Sequence, residues 1–200
     1  AVVISDREHS AALERARRHG VPGVHLDPGS PRARLRPEAE RAMVDVLREH
    51  GVDWVVLAGY VRIVGPGLLG AFPLRVLNVH PSLLPSFPGL HGPGQALAYG
   101  VRVTGCTVHL VTTEVDAGPI LRQAPVPVLP DDTEEMLAAR ILEQEHRILL
   151  EAVNEATTRR FRIDGRTVCW ERDPAPSAED AVREGEAGKE GTEGKEGKTS

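Results

Sequence analysis

Cysteine is nearly absent from this chain. Two thiols in 200 residues, Cys106 and Cys169, supply neither a disulfide framework nor the paired spacing of a zinc site. Both are read as reduced, with Cys106 packed in a strand. Aromatics make up only 4%, so Val, Leu, Ile and Ala must fill the core of one sizeable domain. No apolar run approaches the roughly 20 residues that span a bilayer, and no basic-then-apolar signal segment opens the sequence. A cytoplasmic protein with no membrane partner is expected. Lysine is missing from the body: Lys189, Lys195 and Lys198 all lie within residues 171–200. The body's positive charges are arginines scattered among acids rather than striped, which argues against nucleic acid.

The formal net charge of −5 is uneven: −4 belongs to residues 171–200, with nine acids and five bases, and −1 to residues 1–170. The tail reads GKEGTEGKEGK near its end. Such a composition buries too little apolar surface to offset ordering entropy, so 171–200 is expected to be disordered.

Residues 1–170 alternate strand-like and helix-like stretches. AVVIS at 1–5 reads as a buried strand, followed by a helix over 8–19 capped by Ser5 or Asp6 and stopped at Gly20. A short strand at 24–26 precedes a Pro/Gly/Arg loop over 28–36. Pro37 then opens a helix to about Glu49. DWVVLA at 53–58 fits a strand buried on both faces. A turn of helix near 66–72 leads to a strand over 74–79, and a short helix covers 94–99. Strands are expected at 103–111 and 125–128. A helix over 133–158 has Asp132 as its cap and Glu135 three residues on. A two-stranded ribbon at 161–169 turns at Asp164–Gly165. This order predicts an open, mainly parallel α/β sheet with helices on both faces.

The stretch VLNVHPSLLPSFPGLHG at 76–92 organises the rest. Asn78 and His80, two apart at a strand end, share one face. Pro81, Pro85 and Pro88 forbid regular structure directly afterwards, giving a stiff loop where open α/β sheets place ligands. Asp116, in LVTTEVDAGPI, occupies a similar strand-to-loop position. Asn and His donors suit an oxyanion developing on a carbonyl under attack, and a carboxylate beside them suits proton relay. That chemistry is acyl transfer to an amine without a covalent enzyme intermediate. On spacing alone, a loop-capping Asn and an internally bonded His fit slightly better. No G-x-S-x-G elbow accompanies Ser82, which sets aside a serine hydrolase. His80, His91 and His109 match no common ligand spacing, so no metal is expected. His109 reads as a satisfied core histidine, and His91 as ligand-facing or solvent-facing. Glu145 shares a stripe with Leu137, Ile141, Ile148 and Ala152 on the last helix, where a charge is either paired, functional or at a rim. Arg62 follows a strand end and could line the crevice or face water.

Four segments carry a family resemblance: LAGYVRI at 57–63, LNVHPSLLPSFPGLHG at 77–92, TGCTVHLVTTEVDAGPI at 104–120 and EQEHR at 143–147. In this order and spacing the chain resembles the phosphoribosylglycinamide formyltransferases, the folate-dependent transferases of purine synthesis. The resemblance implies a Rossmann-like formyltransferase sheet and a catalytic trio of Asn78, His80 and Asp116. It implies a folate pocket lined by Val61, Arg62, Ile63 and Val64 with Val111, Thr112, Thr113 and Val115. Pro81 and Glu145 match positions touching the ribonucleotide. The cosubstrate implied is 10-formyltetrahydrofolate, without a metal, and the partners are small molecules, with a monomer or weak homodimer. Related formyltransferases and formyltetrahydrofolate hydrolases share the trio, so hydrolysis is an alternative, as is a catalytically impaired folate-binding fragment. In one respect the pattern departs. The family opens with a strand and a Gly-rich phosphate loop, whereas Ala1 corresponds to its second strand. A doubly wound sheet without that strand lacks a middle member, leaving residues 1–170 an incomplete domain with impaired ribonucleotide binding.

Overall fold

The computed structural model describes residues 1–29 and 34–171. Of the tail expected to be disordered, 171–200, residues 172–200 lie outside the described residues, while the Glu171 amide donates to the Arg160 carbonyl at 2.9 Å. Strands β1 (Val3–Ser5) and β2 (Gly23–His25) are parallel and are joined by helix α1 (Ala11–Arg18). Helix α2 (Pro37–Glu49) leads to β3 (Val55–Leu57), α3 (Pro66–Ala71), β4 (Val76–His80) and α4 (Gly92–Tyr99). There follow β5 (Val103–Leu110), β6 (Ile120–Pro127), the long α5 (Glu134–Thr158), β7 (Phe161–Asp164) and β8 (Thr167–Trp170).

The strands form an open α/β arrangement in two sheets. One holds β1 and β2; the other has the order β3-β4-β5-β6-β8-β7. Within the larger sheet β3, β4, β6 and β8 run one way, while β5 and β7 run against them. The division falls between β1 and β3. Among the described residues β3 is an edge, and a slot of about 370 Å³ separates it from β1, lined by Ala1, Ile4, Leu47, Val52, Val55 and Leu57.

Strand alternation explains the two-sided core. Val76 packs with Met43, Val44, Leu47 and Leu68 of α2 and α3. On the other face, Val79 and Val108 pack with Leu137, Ile141, Ile148 and Ala152 of α5. Asn78 and His80 fall on the Val76 face, at the carboxyl end of β4. Among the described residues no helix is long and apolar enough to cross a membrane.

Several boundaries differ from expectation for local reasons. Ser10, not Ser5 or Asp6, caps α1: its Oγ accepts from Leu13 N at 3.2 Å, while Ser5 Oγ turns to Arg7 N. Thr133, not Asp132, caps α5, accepting from Met136 N at 3.2 Å. Asp132 instead pairs with Arg140 at 2.7 and 2.8 Å and takes the Leu129 amide; Arg140 holds its carboxyl down to about 2. Strand β6 begins five residues before the expected start at Pro125. Its neighbour β8 pairs only at Ile120, so Pro125 and Pro127 sit where the strand has a free edge and no ladder donor is needed. The β7–β8 turn is centred one residue later, on Gly165 and Arg166, because Asp164 still pairs with Thr167. Gly165 takes φ +59° there, a conformation that costs glycine least.

Candidate active site

β4 lies between parallel β3 and antiparallel β5, with Asn78 opposite His109 and His80 opposite Thr107. Asn78 Nδ2 and His109 Nε2 are 3.1 Å apart. His109 Nδ1 lies 3.0 Å from the Leu110 carbonyl, which can only accept, so Nδ1 carries the proton and Nε2 accepts from Asn78. This fixes the Asn78 amide and leaves its second N–H free of His109. His80 Nε2 is 2.9 Å from the Phe87 carbonyl and therefore donates to it. Its Nδ1 faces Asp116 Oδ2 at 3.4 Å, and Asp116 Oδ1 lies 3.7 Å from His109 Nε2. Both partners of the His80–Asp116 pair are nearly enclosed, their side chains 6% and 11% exposed.

Asp116 arrives by a route that differs from the expected adjacent strand end. Since β5 runs against β4, it ends near the start of β4: Leu110 pairs with Leu77, and Val111 N donates to Val76 O at 2.8 Å. The loop then folds back over the face bearing Asn78 and His80. Asp116 adopts φ +52° in that return, and the Gly89 amide donates to its Oδ2 at 2.8 Å. Gly118 sits so close to the Leu110 carbonyl that a Cβ has no room. The return therefore depends on a glycine at that position.

The remaining residues singled out from sequence fall on neighbouring loops with unequal exposure. Val61, 65% exposed, stands out from the β3–α3 loop, whereas Val64 is buried in the core with Leu68 and Phe72. Any ligand contact by Val64 is therefore through its backbone. Arg62 is drawn to Asp6, Nε to Oδ2 at 2.7 Å, and Ile63 bridges Arg34. Val111 packs against the α2–α3 core; Thr113 and Val115 are exposed, and Thr112 Oγ1 donates to the Glu114 carbonyl. Pro81 is half-buried directly after His80, with its carbonyl 2.7 Å from where a Gly92 Cβ would lie. Glu145 is half-buried on α5. Burial raises its pKa, opposed by the His146 and His80 rings, so it lies near His80. Burial, with Glu145 beside it, pushes the Cys106 thiol up to about 12, leaving it unsuited as a nucleophile. His91 is exposed at the start of α4, 3.6 Å from Glu134. Among the described residues no cluster of His, Cys, Asp or Glu could hold a metal ion.

A family model described as formyl transferase matches residues 1–153. The chain belongs to the formyl transferase family. Phosphoribosylglycinamide formyltransferase of Mycobacterium tuberculosis is 54% identical over 123 residues, covering 62% of this chain and 57% of that protein. The Escherichia coli protein of the same name is 42% identical over 146 residues, covering 73% and 68%. The crystal structure of glycinamide ribonucleotide transformylase 1 from Symbiobacterium toebii aligns with a TM-score of 0.81 at 53% identity, over 86% of this chain and 80% of that one. The chain thus spans little more than half the length of the mycobacterial relative.

In this formyl transferase His109 is the buried, hydrogen-bonded histidine that was expected, but its place beside Asn78 and Asp116 was not foreseen. Its place inside an apolar strand suggested a core role, and it is 2% exposed. Only the antiparallel register puts its ring against Asn78 and Asp116. The available signal was parity: His109 alternates with Val108 and Leu110, so it could not share their apolar face. Burial lowers its pKa below the ordinary 6.5, against opposing pulls from the Leu110 carbonyl and Asp116. Below pH 6.5 the unfolded chain takes up a proton that the folded ring refuses. The stability from this group is therefore complete above that pH and is lost as the pH falls toward the folded value. His109→Gln is expected to flatten that part of the pH–stability curve. Melting temperatures from about pH 7.5 to about pH 5 measure it, and an unaltered slope contradicts the assignment.

Proposed function

We propose that this chain transfers the formyl group of 10-formyltetrahydrofolate to the amine of 5′-phosphoribosylglycinamide, in the cytoplasm, as a monomer or weak homodimer. The observation that carries the reading is the clustering of Asn78, His80, His109 and Asp116 at a strand end. The names of the similar proteins support the choice of substrates. The amine attacks the formyl carbon, a C–N bond forms, and the carbonyl electron pair moves onto oxygen. The second Asn78 N–H and the His80 Nε2–H stabilise that oxygen, His80 exchanging the Phe87 carbonyl for it. Asp116 accepts the proton lost by the attacking nitrogen. The C–N bond to folate then breaks, and the departing nitrogen takes a proton relayed from Asp116 and His80. Val61, Arg62, Ile63, Val64, Val111, Thr112, Thr113 and Val115 line the folate pocket, while Pro81 and Glu145 meet the ribonucleotide.

Incubation with both substrates, followed by mass spectrometry, tests the reading. Formylated ribonucleotide together with tetrahydrofolate is the expected pair of products. Formate in place of the formylated ribonucleotide would identify a hydrolase instead.

A further inference from the structure

Helix α2 places Glu40 on the same stripe as Met43, Val44 and Leu47, all three buried in the core, and Glu40 is itself only 8% exposed. A carboxylate in such a place must find donors. Its Oε1 accepts from the Gly65 amide at 2.6 Å and the Leu68 amide at 3.1 Å. They are the amides of the residue capping α3, Gly65, and of the third residue of its first turn, and with no side-chain cap hydrogen bond at that cap they would otherwise be unsatisfied. The fit depends on missing side chains: a Cβ at Gly65 would lie 2.6 Å, and at Gly67 2.9 Å, from Glu40 Oε2. Glu40, Gly65 and Gly67 therefore act together as one clamp reaching from α2 to α3.

The clamp closes where the loop over Val61, Arg62, Ile63 and Val64 ends. At the other side of that loop Asp6, just after β1, holds Arg62 at 2.7 Å. The loop is thus fixed by carboxylates from two separate elements, while the Val61 side chain stays exposed between them. We propose that Glu40 is a positioning residue that sets the shape of the folate-binding loop from behind, without touching the folate. The inference rests on the reading of residues 61–64 as folate-lining.

Calorimetric titration of the whole chain with 10-formylfolate tests it, alongside a thermal melt of each variant. Glu40→Ala is expected to weaken binding at least tenfold while still melting cooperatively. Glu40→Gln keeps an oxygen for both amides and restores most of the affinity, whereas Glu40→Met, which fills similar space without an acceptor, does not; equal rescue by both would mean packing alone and overturn the positioning role. If Glu40→Ala does not fold, Gly67→Ala displaces the carboxylate from an exposed helix position and must give the same loss. Val61→Glu, on the exposed side of the loop, separates the two claims. Weaker binding in Val61→Glu with unchanged binding in Glu40→Ala or Gly67→Ala overturns the positioning role alone. Unchanged binding in Val61→Glu, or no binding by the unsubstituted chain, overturns the folate-loop reading and the inference with it.

Discussion

Replacing Asn78 with alanine is expected to lower the rate of formyl transfer by about 10²–10³-fold, the usual cost of losing one oxyanion donor. Among the described residues the Asn78 side chain hydrogen-bonds to His109 Nε2 alone, at 3.1 Å, and its backbone is secured by β3 on one side and β5 on the other. The substitution therefore removes a donor without dismantling the strand. It leaves the His109 acceptor unpaired, which costs about 1–3 kcal/mol and shows as a lower melting temperature. Affinity for 10-formylfolate is expected to change little, since the loop over 61–64 follows a different strand. Steady-state kinetics together with a folate titration measure both effects. Unchanged turnover would remove Asn78 from the chemistry, and a proportional loss of folate affinity would make it a binding group.

Asp116→Asn is expected to cost about 10²–10⁴-fold in turnover, the range for a positioned acid–base group. The carboxylate stands between His80 Nδ1 and His109 Nε2 and is anchored by the Gly89 amide. An asparagine retains the shape and can still accept from Gly89. It cannot take up the proton from the attacking amine, nor can it supply a charge to the His80 ring. The folded structure should persist, because the return loop is fixed by Gly118 against the Leu110 carbonyl and by the left-handed backbone at residue 116. Asparagine tolerates that backbone region as well as aspartate does. Single-turnover rates separate the chemical step from binding, and a variant within a few fold of the parent would contradict the assignment.

Much of this site was legible from residues 76–92 because strand alternation and three prolines act locally. Asn78 and His80 had to share a face, and the chain could not continue regularly past them. What alternation within one strand cannot give is the identity of the neighbour across the ladder. His109 is separated from Asn78 by thirty-one positions, and its role follows from antiparallel pairing. The same pairing explains why Asp116 reaches the site by folding back rather than from an adjacent strand end. Arg62 and Val64 were legible as a loop but not as side chains, because their directions depend on Asp6 and on the α2–α3 core. The helix caps moved by a few residues or one because Ser10 and Thr133 could reach amides that Ser5, Asp6 and Asp132 had exchanged for other partners. The division into two sheets, with the slot between β1 and β3, is a matter of strand neighbours and so is not legible in local sequence pattern.

The central claim is direct transfer of an intact formyl group, and running the reaction in water enriched in heavy oxygen tests it most directly. If the amine attacks the formyl carbon under Asn78 and His80, the formyl oxygen is carried from folate to ribonucleotide, and the formylated product holds no solvent label. Formate bearing a solvent oxygen, in place of an unlabelled formylated ribonucleotide, would show that water is the acceptor and would contradict the account.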